Sequence, residues 1–197
     1  PHDSLLLRFD PPGETKAVPA VESTAVPWHP VNTPSRVAVT LDEPNVLLLD
    51  KAAFALDDGE YAPCTELLRA DNRLRQQLGY PPRFGESAQP WVLPPETPAH
   101  AVHLRFEVES RVDVEAVSLA LEDAADADIR WNGKTASPVQ GYYVDRCIGV
   151  RPLGRAQKGR NVLEITLPFG RRTNLEWCYL LGDFGVEVTG STSCLTE

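Results

Sequence analysis

The chain has 197 residues, 42% of them hydrophobic, enough for one substantial core and about the size of one large domain. Its 28 acidic and 19 basic side chains leave a net charge of −9, which repels a phosphate backbone and gives counterion release nothing to act on. No stretch approaches the roughly 20 apolar residues that span a bilayer, so neither nucleic acid nor membrane is an expected partner.

The N-terminal part, residues 1–35, is expected to hold a strand in "DSLLLRFDPPGE" that stops at its Pro-Pro-Gly corner, followed by a Pro-rich connector. The opening "PHDSLLLRFD" lacks the layout of a signal peptide, and a chain without methionine is expected to be a piece of something longer. Trp28, in "VPWHP", lies on an extended segment of the kind that docks an aromatic ring onto its own or a neighbouring domain. A second region, residues 36–197, opens with two expected strands, "RVAVTL" and "NVLLLDKAAFAL", separated by the turn "DEPN".

One helix is expected over about residues 63–78. Pro63 suits a first helical position, Leu67, Leu74 and Leu78 recur on one side, and Gly79 suits the stop. A Pro-rich loop from Pro81 to Pro98 follows and carries Trp91. The clearest strand is "AVHLRFEVES", where Val102, Leu104, Phe106 and Val108 alternate with polar residues. The same period returns in "VSLALE", "VLEITL" and "FGVEV", with Leu163, Ile165 and Leu167 on one face. Short strands without βαβ alternation and with one intruding helix predict an all-β antiparallel sandwich.

Asn132-Gly133 tolerates the positive φ values of a type I′ turn, so Ile129–Trp131 should pair with Lys134–Ala136. Two readings of Trp131 stay open. It faces inward with Ile129 as a core or rim anchor whose indole N–H needs a partner, or it reads a sugar at the domain edge beside Lys134.

The order of these signals carries a resemblance. The strand and turn "VSLALEDAADADIRWNGK", the loop "GYYVDRCIGVRPL" and then "KGRNVLEITLPF" resemble the accessory β-sandwich domains of glycoside hydrolase family 2 and of related large rhamnosidase-like glycosidases. The matching positions are Asn132, Gly133 and the Gly-x-Asn-x-Leu stretch Gly159, Asn161 and Leu163, with "LEWCYLLGDFGVEV" similar to the terminal strands. In "KGRNVLE", Gly159 makes the bend and Asn161 can bond its own backbone. The resemblance implies a galactose-binding-like jelly roll attached to a glycosidase whose catalytic residues lie on a separate (β/α) barrel.

Catalytic residues are therefore not assigned here. Asp145, Glu176 and Asp183 are nominal carboxylates, while Asp57, Asp58 and the acidic run Glu122 to Asp128 read as solvated loop charges. Ser118 and Ser137 lack a nucleophile elbow, and His2, His29, His100 and His103 stand in loops or on an outer strand face. Cys64, Cys147, Cys178 and Cys194 lack zinc spacing and read as free thiols, with a Cys147–Cys178 disulfide possible in an exported parent. No cofactor or metal is expected.

Binding asks for less. A sugar presents an apolar C–H face and a rim of hydroxyls, so an exposed aromatic ring and a few polar groups suffice. The candidates are Tyr142, Tyr143, Asp145, Arg146 and Trp131, with one of the two adjacent tyrosines expected to be exposed. The expected function is a non-catalytic sugar-binding-type module that packs on the catalytic domain of its parent chain and contributes to carbohydrate recognition. The alternatives are a self-contained carbohydrate-binding module and a small glycosidase.

Overall fold

A computed structural model describes residues 30–32, 35, 40–83, 93–190 and 192–197. The chain divides into two compact units, Pro1–Val39 and Thr40–Glu197, and every element described belongs to the second. The expected N-terminal strand and most of "RVAVTL", with Trp28, Trp91, His2 and His29, lie outside the described residues.

The fold is all-β with one helix among the described residues, as the alternation predicts. A five-stranded sheet contains β1 (Asn45–Leu49), β5 (Val114–Glu122), β8 (Tyr142–Tyr143), β9 (Asp145–Ala156) and β11 (Cys178–Gly182), in the order β1-β11-β5-β9-β8. The second sheet has eight strands. Its path runs through β12 (Gly185–Thr189), β13 (Thr192–Thr196), β4 (His100–Ser110), β10 (Gly159–Phe169), β6 (Asp128–Trp131) and β7 (Lys134–Thr135), while β2 (Lys51–Leu56) joins β4 and carries β3 (Ala62–Glu66). Pairing is antiparallel throughout these contacts except where β13 runs parallel to β4.

The inner faces of both sheets meet in one hydrophobic core, which makes the pair a sandwich. Leu47, Leu119 and Leu180 enter it from one sheet and Leu104, Phe106, Leu163, Ile165 and Ile129 from the other. Register explains the match: Phe106 lies beside Leu163 and Leu104 beside Ile165, and β6 continues the rows with Trp131 and Ile129. Each such side chain, fully buried, contributes about 1.5–3 kcal/mol.

The expected strand "NVLLLDKAAFAL" is broken at Asp50. β1 pairs with β11 in one sheet, whereas β2 pairs with β4 in the other, so the chain crosses the sandwich edge between Leu49 and Lys51. The uninterrupted apolar run conceals this corner because both halves are apolar on their inward sides.

The helix, α1 (Leu67–Leu78), begins later than expected. Pro63 belongs to β3, which is paired with β2, and Glu66 is the N-cap, accepting from the N–H groups of Leu68 and Arg69 at 3.1 Å each. Gly79 ends the helix as expected, at φ 68°, and the N–H of Tyr80 closes back on the Arg75 carbonyl at 2.8 Å. With 12 residues, α1 is neither long nor apolar enough to cross a membrane.

A buried ion pair went unseen in the helical pattern. Asp71 and Arg75 are both buried, with Arg75 Nε donating to the Asp71 carboxylate at 3.1 and 3.2 Å. The same guanidinium reaches the carbonyls of Arg171 and Thr173 and the Asn174 side chain, so α1 clasps the loop between β10 and β11. Burial pushes the Asp71 carboxyl up against the pull of Arg75 and Arg83.

The two motif turns are tied together. Asn132 and Gly133 have φ values of 50° and 77°, the signature of the type I′ turn, and Trp131 pairs with Lys134 across it. Asn132 donates to the Asn161 side-chain oxygen at 2.9 Å and accepts from the Val162 N–H at 2.8 Å. Asn161, fully buried, also bonds the Gln157 carbonyl at 2.7 Å and its own turn at Gly159. Both Asn side chains act on backbone, which makes these motifs scaffold.

Candidate functional site

The outer faces of the sheets differ. On β4 and β10 most outward positions are polar and several are matched: Arg105 donates to Glu164 at 3.0 Å, Arg160 pairs with Glu107, and His103 bonds Thr166 at 2.9 Å. On the five-stranded sheet, β5 turns Val117, Leu119 and Leu121 into the core, leaving Ser118, Ala120 and Glu122 to point out. Ala120 is nevertheless 0% exposed and Leu181 5%, although both stand outside the cluster formed between the sheets. Part of the outer face is itself covered.

The cover is the β8–β9 turn. Tyr143 leans across the face until its ring lies 5.7 Å from that of Tyr179 on β11, and Tyr179 is the register neighbour of Ala120. Tyr142 alternates away and is 59% exposed, so the two adjacent tyrosines divide as expected. At the tip, Val144 is 82% exposed with φ 59°, a left-handed conformation that is a genuine outlier for a β-branched residue.

Beside this turn is a groove of about 590 Å³. Tyr142, Tyr143 and Val144 form one side, Val150, Leu181 and Gly182 contribute apolar surface, and Glu43, Ser118 and Gln140 supply polar groups. Gly182 fits because Phe184 packs where a Cβ would stand, its ring atoms 2.9 Å from that point.

The other candidates fall elsewhere. Trp131 is 2% exposed and its indole donates to the Arg155 carbonyl at 2.8 Å, so it is the core anchor and presents no ring to a ligand. It is buried because register sets it beside the inward Leu163, on the same face as Ile129 two residues before it. Asp145 accepts from the Cys147 N–H at 3.0 Å, a bond that holds its carboxyl below the ordinary range, and so it caps its own turn. Arg146 is exposed and outside the groove lining. The four cysteines are free; Cys178 is buried, with its thiol pushed up by burial, while Cys147 is exposed.

Glu122 is exposed, as expected of a solvated charge, but it ends β5 instead of standing in a loop and so stands on this face. It lines a small depression of about 60 Å³ with Ile148, Glu176, Trp177 and Tyr179. Burial first, and then the charges of Glu176 and Asp123, lift its carboxyl above the ordinary glutamate range. Glu176 is paired with Arg83. The Trp177 indole donates to Glu66 at 2.9 Å, tying its orientation to the start of α1. Burial raises the Glu66 carboxyl, but the bonds from Trp177, Leu68 and Arg69 outweigh it and hold the group low.

Glu122 also borders a cleft of about 280 Å³ with Glu96, Asp123, Asp126 and the β10–β11 loop. Its carboxylates are partly committed: Glu96 accepts from the backbone N–H groups of Arg171 and Arg172. Among the described residues, no group of three or more His, Cys, Asp or Glu is arranged to hold a metal ion.

No family model, curated protein or solved structure matches this chain.

Proposed function

We propose that this chain is a non-catalytic, sugar-binding β-sandwich module of a larger glycoside hydrolase, packing on that enzyme's catalytic domain and holding carbohydrate in the groove at Tyr142. The observation that carries the sugar reading is the open Tyr142 ring beside a groove that offers Ser118, Gln140 and Glu43 to hydroxyls. An aromatic face takes the apolar side of a pyranose and a few fixed polar groups orient its rim, with no tuned pKa required. The accessory role draws its support from the order of the Asn132-Gly133 turn and the Gly159, Asn161, Leu163 stretch.

Calorimetric titration and a glycan array test the binding. Micromolar to millimolar affinity is expected, lost in Tyr142→Ala with little change in thermal stability; flat responses throughout reject the sugar reading. A (β/α) barrel encoded in the same reading frame supports the accessory role, and a frame without one favours a free-standing binder. One observation favours a catalytic reading: Glu122, with its raised carboxyl, shares a depression with Glu176. Turnover of chromogenic glycosides that disappears in Glu122→Gln would establish it.

A further inference from the structure

The outer face of the five-stranded sheet is ordered in three cross-strand rows. Leu181 lies beside Ser118, which lies beside Pro152; in the next row Tyr179 lies beside Ala120 and Ala120 beside Val150. Glu122 and Ile148, in register, make the third, and Trp177, just before β11, lines the same depression. Ser118 and Leu181 line the large groove and the third row lines the small depression, so the two hollows open on one sheet face. Between them stands the ridge where Tyr143 meets Tyr179. From Ser118 to Glu122 along β5 is about 13 Å at the usual strand rise, longer than a single sugar ring.

The lining also has a sign. Neither hollow is lined by Lys or Arg among the described residues, whereas Glu43, Glu122 and Glu176 face them. Carboxylates accept from hydroxyls and repel acidic ligands. Glu176 is already neutralised by Arg83, so the charge that repels an acidic ligand comes from Glu43 and Glu122. Trp177 is exposed, and its bond to Glu66 restrains its ring where a chain crossing the ridge would arrive.

We infer that this face binds a neutral oligosaccharide lying along the strands, from the Tyr142 groove over the Tyr143–Tyr179 ridge to Trp177, in preference to a monosaccharide or an acidic chain. The inference rests on the proposal that the groove takes carbohydrate. It adds Trp177, Tyr179 and Glu122 as specificity-determining residues and gives a role to the two aromatic rings, Trp177 and Tyr179, that stand at this outward face.

The test titrates the whole chain with neutral β-1,4-linked glucose, xylose and galactose series, each from monosaccharide to hexasaccharide, and with oligogalacturonate as the acidic arm. In the series that binds, affinity should rise with length, and Trp177→Ala should weaken the hexasaccharide about tenfold while leaving the shortest binding sugar unchanged. In the unsubstituted protein, the Trp177 indole N–H resonance, assigned by its loss in Trp177→Phe, should shift with hexasaccharide and not with monosaccharide. A monosaccharide bound as tightly as the hexasaccharide, an indole signal that stays still, or equal affinity for oligogalacturonate would overturn the track and leave the Tyr142 groove standing. No binding in any series would overturn both proposals.

Discussion

The outer faces of the two sheets are both made from alternating antiparallel strands yet have opposite chemistry. On β4 and β10 most outward residues are polar and several find partners across the strands, as Arg105 does with Glu164. On β5, β9 and β11 the outward row of Tyr179, Ala120 and Val150 is apolar and lies under a tyrosine. A sheet needs one buried face to fold against its partner. A second apolar face has to be covered by something, and here Tyr143 covers part of it and leaves a groove beside it.

The largest effect that would break this contrast comes from placing one long charged side chain on each face. Ala120→Arg should cost about 3 kcal/mol in chemical denaturation, because the space beneath Tyr143 and Tyr179 is filled and apolar. Val162→Arg, outward on β10, should stay within about 0.5 kcal/mol. Equal costs would show that the two faces do not differ as described. Removing the cover comes next: Tyr143→Ala should cost about 1–2 kcal/mol, while Tyr142→Ala should leave stability nearly unchanged and abolish the proposed sugar binding.

Val144 sharpens the contrast further. Val144→Asn should raise stability by about 1 kcal/mol, since Asn tolerates the left-handed region that a β-branched residue does not. Lower sugar affinity in the same variant would tie the strained tip to binding.

The smallest effect concerns Glu122. Its carboxyl is raised in the folded chain by burial and by Glu176 and Asp123, so ionisation is disfavoured there relative to the unfolded chain. The stability gained from the protonated form is fully present below the ordinary value of 4.5 and is lost as pH rises through the raised one. Glu122→Gln should therefore melt slightly above the parent at pH 7, with the difference closing at acid pH.

Much of the scaffold was legible from local pattern. The alternation in Val102 to Val108 and Leu163 to Leu167 is a geometric property of a strand, and Asn132-Gly133 adopts its turn because those two residues tolerate positive φ. The corner at Asp50 was hidden because an apolar run reads the same in one sheet or two. The start of α1 was misplaced because Pro63 suits both a helix start and an edge strand, and pairing with β2 decided between them. Asp71 and Arg75 fit the helical spacing of any surface ion pair, and their burial depends on the β10–β11 loop almost a hundred residues away.

Among the candidate residues, local geometry set the split between Tyr142 and Tyr143, because two adjacent aromatics on a strand face opposite ways. Trp131, Glu122, Tyr179 and Trp177 were decided by which strands became neighbours: β6 beside β10 drew Trp131 inward, and β11 and β9 on either side of β5 gathered the others outward. The sequence by itself determined where strands and turns form, because backbone dihedrals and side-chain alternation act over a few residues. The tertiary structure alone decided which outward face became a groove, because register joins residues that the chain keeps far apart.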